Sequence, residues 1–284
     1  MTTRIDGVIL PESAVEADEI PALEDIVAAF GVTILLAGVR ERATGDGLGR
    51  NYVHIGVRTG DGWERHQQAK HHRWCLDEAQ IRNYHLARVL DPGKQWWEAI
   101  ELPRRKLPII DTGGGATTAP LVCEDLARMD EVTDLLRRIG PSVVIALLLD
   151  GPQLASRWPC RYASVLAEEP GSAVLTLTSF GMVARSRPPG TTRSRAVALW
   201  HDPTSGRHEL ELDRGAGGIL ITASAGAKTV WTADGRSHHA TTPDVVLSRV
   251  QQLRARSARS PSRRLLSRRG RQRAAQPPRP PGVE

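Results

Sequence analysis

Apolar residues in this chain fall in short runs of strand length, separated by stretches with helical spacing, and this alternation occurs twice. In the first half, residues 5–10 read as a strand that ends at Pro11. Residues 21–30 carry Leu23, Ile26, Val27 and Phe30 at the i, i+3, i+4, i+7 spacing of a helix, which Gly31 stops. Residues 32–39 and 52–58 read as strands of one hairpin across a Gly-rich turn at 44–50, and 77–89 as a helix capped by Asp77 with Ile81, Tyr84 and Val89 on one face. The second half offers strands at 120–122, 143–149, 173–178 and 218–222, helices at 130–139 and 161–168, and a hairpin of 196–200 with 209–212. Strand, helix, strand, repeated and flanked by hairpins, predicts one layered α/β or α+β sheet domain over residues 1–250.

The chain has 284 residues, 40% of them hydrophobic, enough for a sizeable core. No run approaches the roughly 20 apolar residues of a membrane helix, and the N-terminus lacks a basic-then-apolar leader pattern. Cys75, Cys123 and Cys160 form no even set and no CxxC pair. A reduced, cytoplasmic protein without membrane contact is expected, with no cofactor and no metal. The net charge of +6 is unevenly spread. Residues 251–284 hold ten arginines and one acid, whereas the other 250 hold 28 basic and 31 acidic groups. The body is mildly acidic, which argues against a nucleic-acid-binding domain. The Arg-, Ser- and Pro-rich tail at 251–284 is expected to be disordered, with nucleic acid or an acidic partner as what it would bind.

Three residues stand where chemistry is expected. Cys123 ends the apolar run Pro120-Leu-Val122 and is followed by Glu124-Asp125. A thiol at a strand-to-helix turn is exposed at the end of a sheet, where a following backbone N–H faces an oxyanion; a small buried core residue is the plainer reading of a lone Cys. Glu12 follows the strand at 5–10, at the same expected rim, where a carboxylate is placed to act as a base. Lys70 stands in Gln67-Gln-Ala-Lys-His-His-Arg-Trp74, one of four lysines against 34 arginines.

Pro11-Glu12 after a strand, then Lys70-His-His72, then Cys123-Glu-Asp125, resembles in order and context the carbon–nitrogen hydrolase (nitrilase) superfamily, over roughly residues 5–225. The resemblance implies a four-layer αββα sandwich and a homodimer. It also implies a triad of Glu12 as general base, Lys70 as stabiliser of thiolate and oxyanion, and Cys123 as nucleophile, with the Glu124 backbone N–H as second oxyanion donor. The substrate implied is a small amide or nitrile, opened through a thioester-type acyl-enzyme. Cys-Glu-Asp is similar to the glutaminase domain of glutamine-dependent NAD synthetases. Residues 145–154 and 175–179 look like nitrilase-like domains attached to some bacterial antiviral reverse transcriptases. That likeness implies the alternative, a non-catalytic module of a larger protein or defence assembly.

The chain departs from the family pattern in two respects that bear on the site. Only Met1–Arg4 precede the first strand, so the family's first strand and helix are expected to be missing. No acid stands a few residues before Pro92-Gly93, where the family often has a second Glu; Glu78 and Glu98 are off-position. Among weaker signals, Gly113-Gly-Gly115 lacks the Lys-Ser/Thr of a phosphate cradle. His66, His71, His72 and Cys75 match no standard zinc spacing, His238-His239 reads as a solvated pair, and Trp96-Trp97 reads by default as core.

Overall fold

Alternation along the first strands sorts their side chains between two faces, and the computed structural model, which describes residues 4–113, 115–128, 132–186, 193–236 and 241–255, shows what covers each. β1 (Gly7–Glu16) runs parallel to β2 (Ile34–Glu41), and β3 (Arg50–Thr59) and β4 (Gly62–Ala69) continue the sheet antiparallel, in the order β1-β2-β3-β4. Leu35, Ala37, Val39 and Tyr52 pack with Ile20 and Val27 of α1 (Ile20–Ala29). Leu36, Val53 and Ile55, the residues between them, join the main core instead.

That core lies between this sheet and a second one. Two short strands, β5 (Cys75–Leu76) and β6 (Trp96–Trp97), pair around α2 (Glu78–Asn83) on the way to it. The second sheet is built from β7 (Ile110–Gly113), β8 (Ala116–Val122), β9 (Val143–Leu148), β10 (Ala173–Thr178), β11 (Ala196–Asp202) and β12 (Gly206–Glu211), in the order β12-β11-β10-β9-β8-β7. β8, β9 and β10 are parallel and their residues are almost all buried, as the unbroken run Val143–Leu148 requires of a strand covered on both faces. α3 (Asp134–Ile139) and α4 (Trp158–Glu168) lie between its strands in sequence, with Leu136, Cys160, Ala163 and Leu166 in the main core. α5 (Phe180–Arg185) follows β10, and a long hairpin of β13 (Gly218–Thr229) and β14 (Thr241–Leu253) ends the described chain. Helix, sheet, sheet, helix is the order of layers.

Several boundaries differ from those expected. The first strand does not stop at Pro11 but continues to Glu16 through a bulge. The helix expected at 77–89 is only Glu78–Asn83, because His85 turns into the left-handed region at φ 55° and ends it; Val89 is exposed. Asp77 and Gln80 do cap it reciprocally. The helix expected at 130–139 is described from Asp134, and Gly140 closes it at φ 65° with its N–H on the Leu136 carbonyl. Trp97 is 60% exposed, not core. The strand at 218–222 runs to Thr229 because β14 pairs with it, and β14 carries the domain to Leu253. The tail from 256 and His238-His239 lie outside the described residues. No helix among the described residues is long and apolar enough to cross a membrane.

The bulge in β1 depends on one glycine. Leu10 pairs with Ala37 and Val15 with Val39, so four residues of β1 are gathered opposite Gly38 alone. A Cβ at Gly38 would stand 2.2 Å from the Pro11 carbonyl oxygen and 2.4 Å from the Glu12 Cα, both backbone atoms that have no way to swing aside. Gly38→Ala is therefore expected to cost about 1–3 kcal/mol from overpacking. At roughly 2–4 °C per kcal/mol this would appear as a fall of several degrees in Tm. Gly60→Ala, where a Cβ meets nothing within 4 Å, is expected to leave Tm unchanged.

Candidate active site

Glu12 is the first residue the bulge displaces. Leu10 faces α1 with Ala37, and strict alternation would keep Glu12 on that face. The extra residues, with Ser13 at φ 54°, turn Glu12 to the rim where β3 begins and β4 ends instead. There its carboxylate is 2% exposed and accepts from Asn51 Nδ2 at 2.7 Å and Lys70 Nζ at 3.0 Å, both on Oε1. Oε2 is buried and has no hydrogen-bond partner among the described residues.

Lys70 is the residue just after β4, held in line by its N–H on the Asn51 carbonyl at 2.8 Å. Its side chain is 1% exposed, and Nζ donates to Glu12 and, at 2.7 Å, to Glu98 Oε2. Asn51 Nδ2 spans both acids, reaching Glu98 Oε1 at 2.9 Å, and the Trp74 N–H donates to Glu98 Oε2 at 3.2 Å. Burial opposes the ammonium, but the charges of Glu12 and Glu98 outweigh it and hold the Lys70 pKa above its ordinary value. Lys70 is a fixed cation.

Cys123 follows β8 directly and opens a short 3-10 turn, Cys123–Ala127. Its φ of 46° lies in the left-handed region, which costs a residue other than glycine roughly 1–2 kcal/mol. The thiol lies within electrostatic reach of Glu12 and Lys70. Burial first, and then the Glu12 charge, push its pKa well up, while Lys70 and a backbone hydrogen bond from Leu149 pull the other way.

The segments carrying Lys70 and Cys123 are tied together. Asp125, fully buried, accepts from the His71 N–H at 3.0 and 3.1 Å, and its Oδ1 lies 2.9 Å from His72 Nδ1. His71 Nε2 is bonded to the Lys106 carbonyl, and His66 lies on the exposed side of β4 beside Glu64. Cys123 opens onto a cavity of about 310 Å³, walled by Trp74, Tyr84, Leu149, Trp158 and Tyr162, with Glu124, Asp150 and Arg157 among its polar groups. The Glu124 side chain pairs with Arg128 at 3.1 Å.

Glu12 and Lys70 are thus in direct contact, and Cys123 stands beside them. Sequence reading placed no second acid here and left Glu98 off-position. The β5–β6 pairing corrects this, since Glu98 follows β6 directly and its N–H bonds to the Trp74 carbonyl at 2.8 Å. Glu78, the other off-position acid, pairs with Arg82 on the surface. Asn51 and Asp150 were missed. Asp150 carried a usable signal, a carboxylate just after a very apolar strand, the same placement that singled out Glu12.

No protein-family model matches the chain, and no curated protein matches it in sequence. Solved structures resemble it in fold. Nit3 of Saccharomyces cerevisiae, a member of branch 10 of the nitrilase superfamily, is 17% identical over 72% of this chain and 73% of its own, at a TM-score of 0.47. A CN-hydrolase superfamily protein of Xanthomonas campestris, with an arsenic adduct in its active site, is 16% identical over 73% of each chain at 0.42. Glutamine-dependent NAD+ synthetase of Acinetobacter baumannii is 14% identical at 0.41; the match covers 73% of this chain and 41% of the synthetase. The likeness concerns the fold alone. The chemistry of the site rests on its own geometry.

Removing the cation would leave two carboxylates facing each other without compensation. Lys70→Met is expected to cost about 3–5 kcal/mol, measured by urea denaturation. Lys94→Met, which removes an exposed ammonium 3.9 Å from Asp91, is expected to stay within about 0.5 kcal/mol of the parent.

Proposed function

We propose that this protein hydrolyses a carbon–nitrogen bond of a small amide or nitrile, with Glu12, Lys70 and Cys123 as its triad and Glu98 as a second carboxylate on the lysine. The observation that carries this reading is a buried ammonium locked between two carboxylates beside a buried, backbone-strained thiol that lines a cavity. A purely structural ion cluster requires neither the strained cysteine nor the spare oxygen on Glu12.

For an amide, Glu12 Oε2 takes the Sγ proton as sulfur attacks the carbonyl carbon. Negative charge moves to the carbonyl oxygen, where the Lys70 ammonium and the Glu124 backbone N–H stabilise it. The tetrahedral intermediate collapses, the C–N bond breaks, and Glu12 returns the proton to the departing nitrogen. A thioester on Cys123 and a free amine, or ammonia from a primary amide, result. Glu12 then takes a proton from water, hydroxide adds to the thioester, and the C–S bond breaks. The acid is released and the proton returns to the thiol. A nitrile enters the same path as a thioimidate. Because burial and the Glu12 charge push the thiol pKa up, attack needs a base beside the sulfur, and Glu12 is the carboxylate within reach.

The test is intact-mass spectrometry of the protein mixed with a panel of small primary amides and nitriles, alongside ammonia release. The expected result is a Cys123-linked acyl adduct and turnover that Cys123→Ala abolishes. Glu12→Gln is expected to lower kcat by about 10²–10⁴-fold, the usual contribution of a positioned base. A folded protein giving neither adduct nor ammonia across the panel would favour the competing reading, a non-catalytic module of a larger assembly.

A further inference from the structure

The cavity onto which Cys123 opens is walled largely by rings. Trp74, Tyr84, Trp158 and Tyr162 line it together with Leu149, so two of the chain's three tyrosines and two of its seven tryptophans gather at one place. Trp158 and Tyr162 stand one turn apart on α4, half-buried and packed against the main core. Trp74 directly precedes β5, and Tyr84 closes α2. The rings meet in two edge-to-face pairs, Trp74 with Tyr84 at 5.5 Å and Trp158 with Tyr162 at 6.1 Å, an arrangement that a further ring can extend.

The charged groups of this wall already have partners. It holds three, Glu124, Asp150 and Arg157. Glu124 pairs with Arg128 at 3.1 Å, Asp150 pairs with Arg157 at 2.7 Å, and Asp150 also accepts from the Tyr84 hydroxyl. A charged acyl part entering here would give up hydration and meet no unpaired opposite charge on the wall, which is unfavourable for either sign. An uncharged ring has no such hydration to lose and gains by burying its apolar surface. There is room for one: at about 310 Å³ the cavity has about twice the volume of an engineered apolar cavity that takes up benzene.

Resting on the amidase reading, we propose that the acyl part of the substrate is uncharged and carries an aromatic ring, which lies in this cavity against Trp74, Tyr84, Trp158 and Tyr162 while the amide or nitrile carbon meets Cys123. Carboxylate and ammonium groups on the acyl part are both disfavoured.

The test reads the preference of the cavity without turnover. Benzyl, cyclohexylmethyl, trimethylammonioethyl and sulfonatoethyl methanethiosulfonates each join their thioalkyl group to a thiol as a disulfide, releasing methanesulfinate and the thiol proton. Rates at Cys123 are followed by peptide mass spectrometry, and each is divided by the rate of the same reagent with glutathione, which removes the reagent's own reactivity. The benzyl reagent is expected to exceed both charged reagents by about tenfold or more, from burial of its ring, and the cyclohexylmethyl reagent by about threefold or more, from contact between rings. Trp158→Leu should lower the benzyl-to-cyclohexylmethyl ratio toward one. A charged reagent that matches or outpaces the benzyl reagent would overturn the proposal, and so would a benzyl reagent no faster than the cyclohexylmethyl one. Failure of all four to modify Cys123 would overturn it as well, since such a cavity admits no ring. Should Trp158→Leu not fold, the ratios in the parent protein decide alone. These ratios keep their meaning even if no amide is turned over, so loss of this proposal and loss of the amidase reading are distinct results.

Discussion

The buried ammonium of Lys70 is the constraint around which the rest of the site is arranged. Desolvating a lone ammonium costs several kcal/mol, and here the cost is offset by two carboxylates at 3.0 and 2.7 Å, themselves bridged by Asn51. The partners come from β1, from the start of β3 and from the segment after β6, so three parts of the chain are tied to Lys70 at one point. Asp125 adds a fourth, since it is bonded to the residues after Lys70 and stands two positions from Cys123. Losing any one charge would leave the others uncompensated in a medium of low dielectric.

Two pieces of unfavourable backbone sit around this cluster and depend on the packing beneath it. Ser13 at φ 54° and Cys123 at φ 46° each occupy a region that side chains seldom adopt. The first belongs to the bulge that brings Glu12 over Gly38, and the second brings the thiol out of line with β8. Neither conformation is favoured locally. They persist because the flanking strands are fixed by buried residues on both sides, Leu36 and Val39 near the bulge and Leu121, Val122 and Leu126 near the cysteine. Strain and chemistry coincide, as they do where a fold holds reactive groups ready.

The electrostatic division of labour follows from burial. The charges of Glu12 and Glu98 hold the Lys70 pKa up against its burial, while burial and the Glu12 charge push the Cys123 thiol pKa up. A thiol whose pKa is raised needs a base beside it, and the Glu12 carboxylate is the group so placed. In the adjoining cavity Asp150 is paired with Arg157 and accepts from the Tyr84 hydroxyl.

Much of this was legible in the residues themselves. Strand runs, the hairpin of β2 and β3, and the strand ends that carry Glu12 and Cys123 follow from apolar periodicity and from Pro and Gly, because such signals are local. Glu98 was not legible: its place depends on two-residue strands, Cys75–Leu76 with Trp96–Trp97, which have no periodicity to read. β14 was missed for a related reason, since Thr241-Thr-Pro-Asp244 reads as turn-forming and only its pairing with β13 makes it a strand. Nor could the bulge be read, because it exists only where Pro11 and Glu12 pass over the bare Cα of Gly38, 26 positions after Glu12. The sequence by itself determined which segments would be strands and which reactive side chains would stand at their ends. Tertiary structure alone decided which of those side chains meet, because burial of opposite charges is a property of surfaces brought together and not of the spacing along one of them.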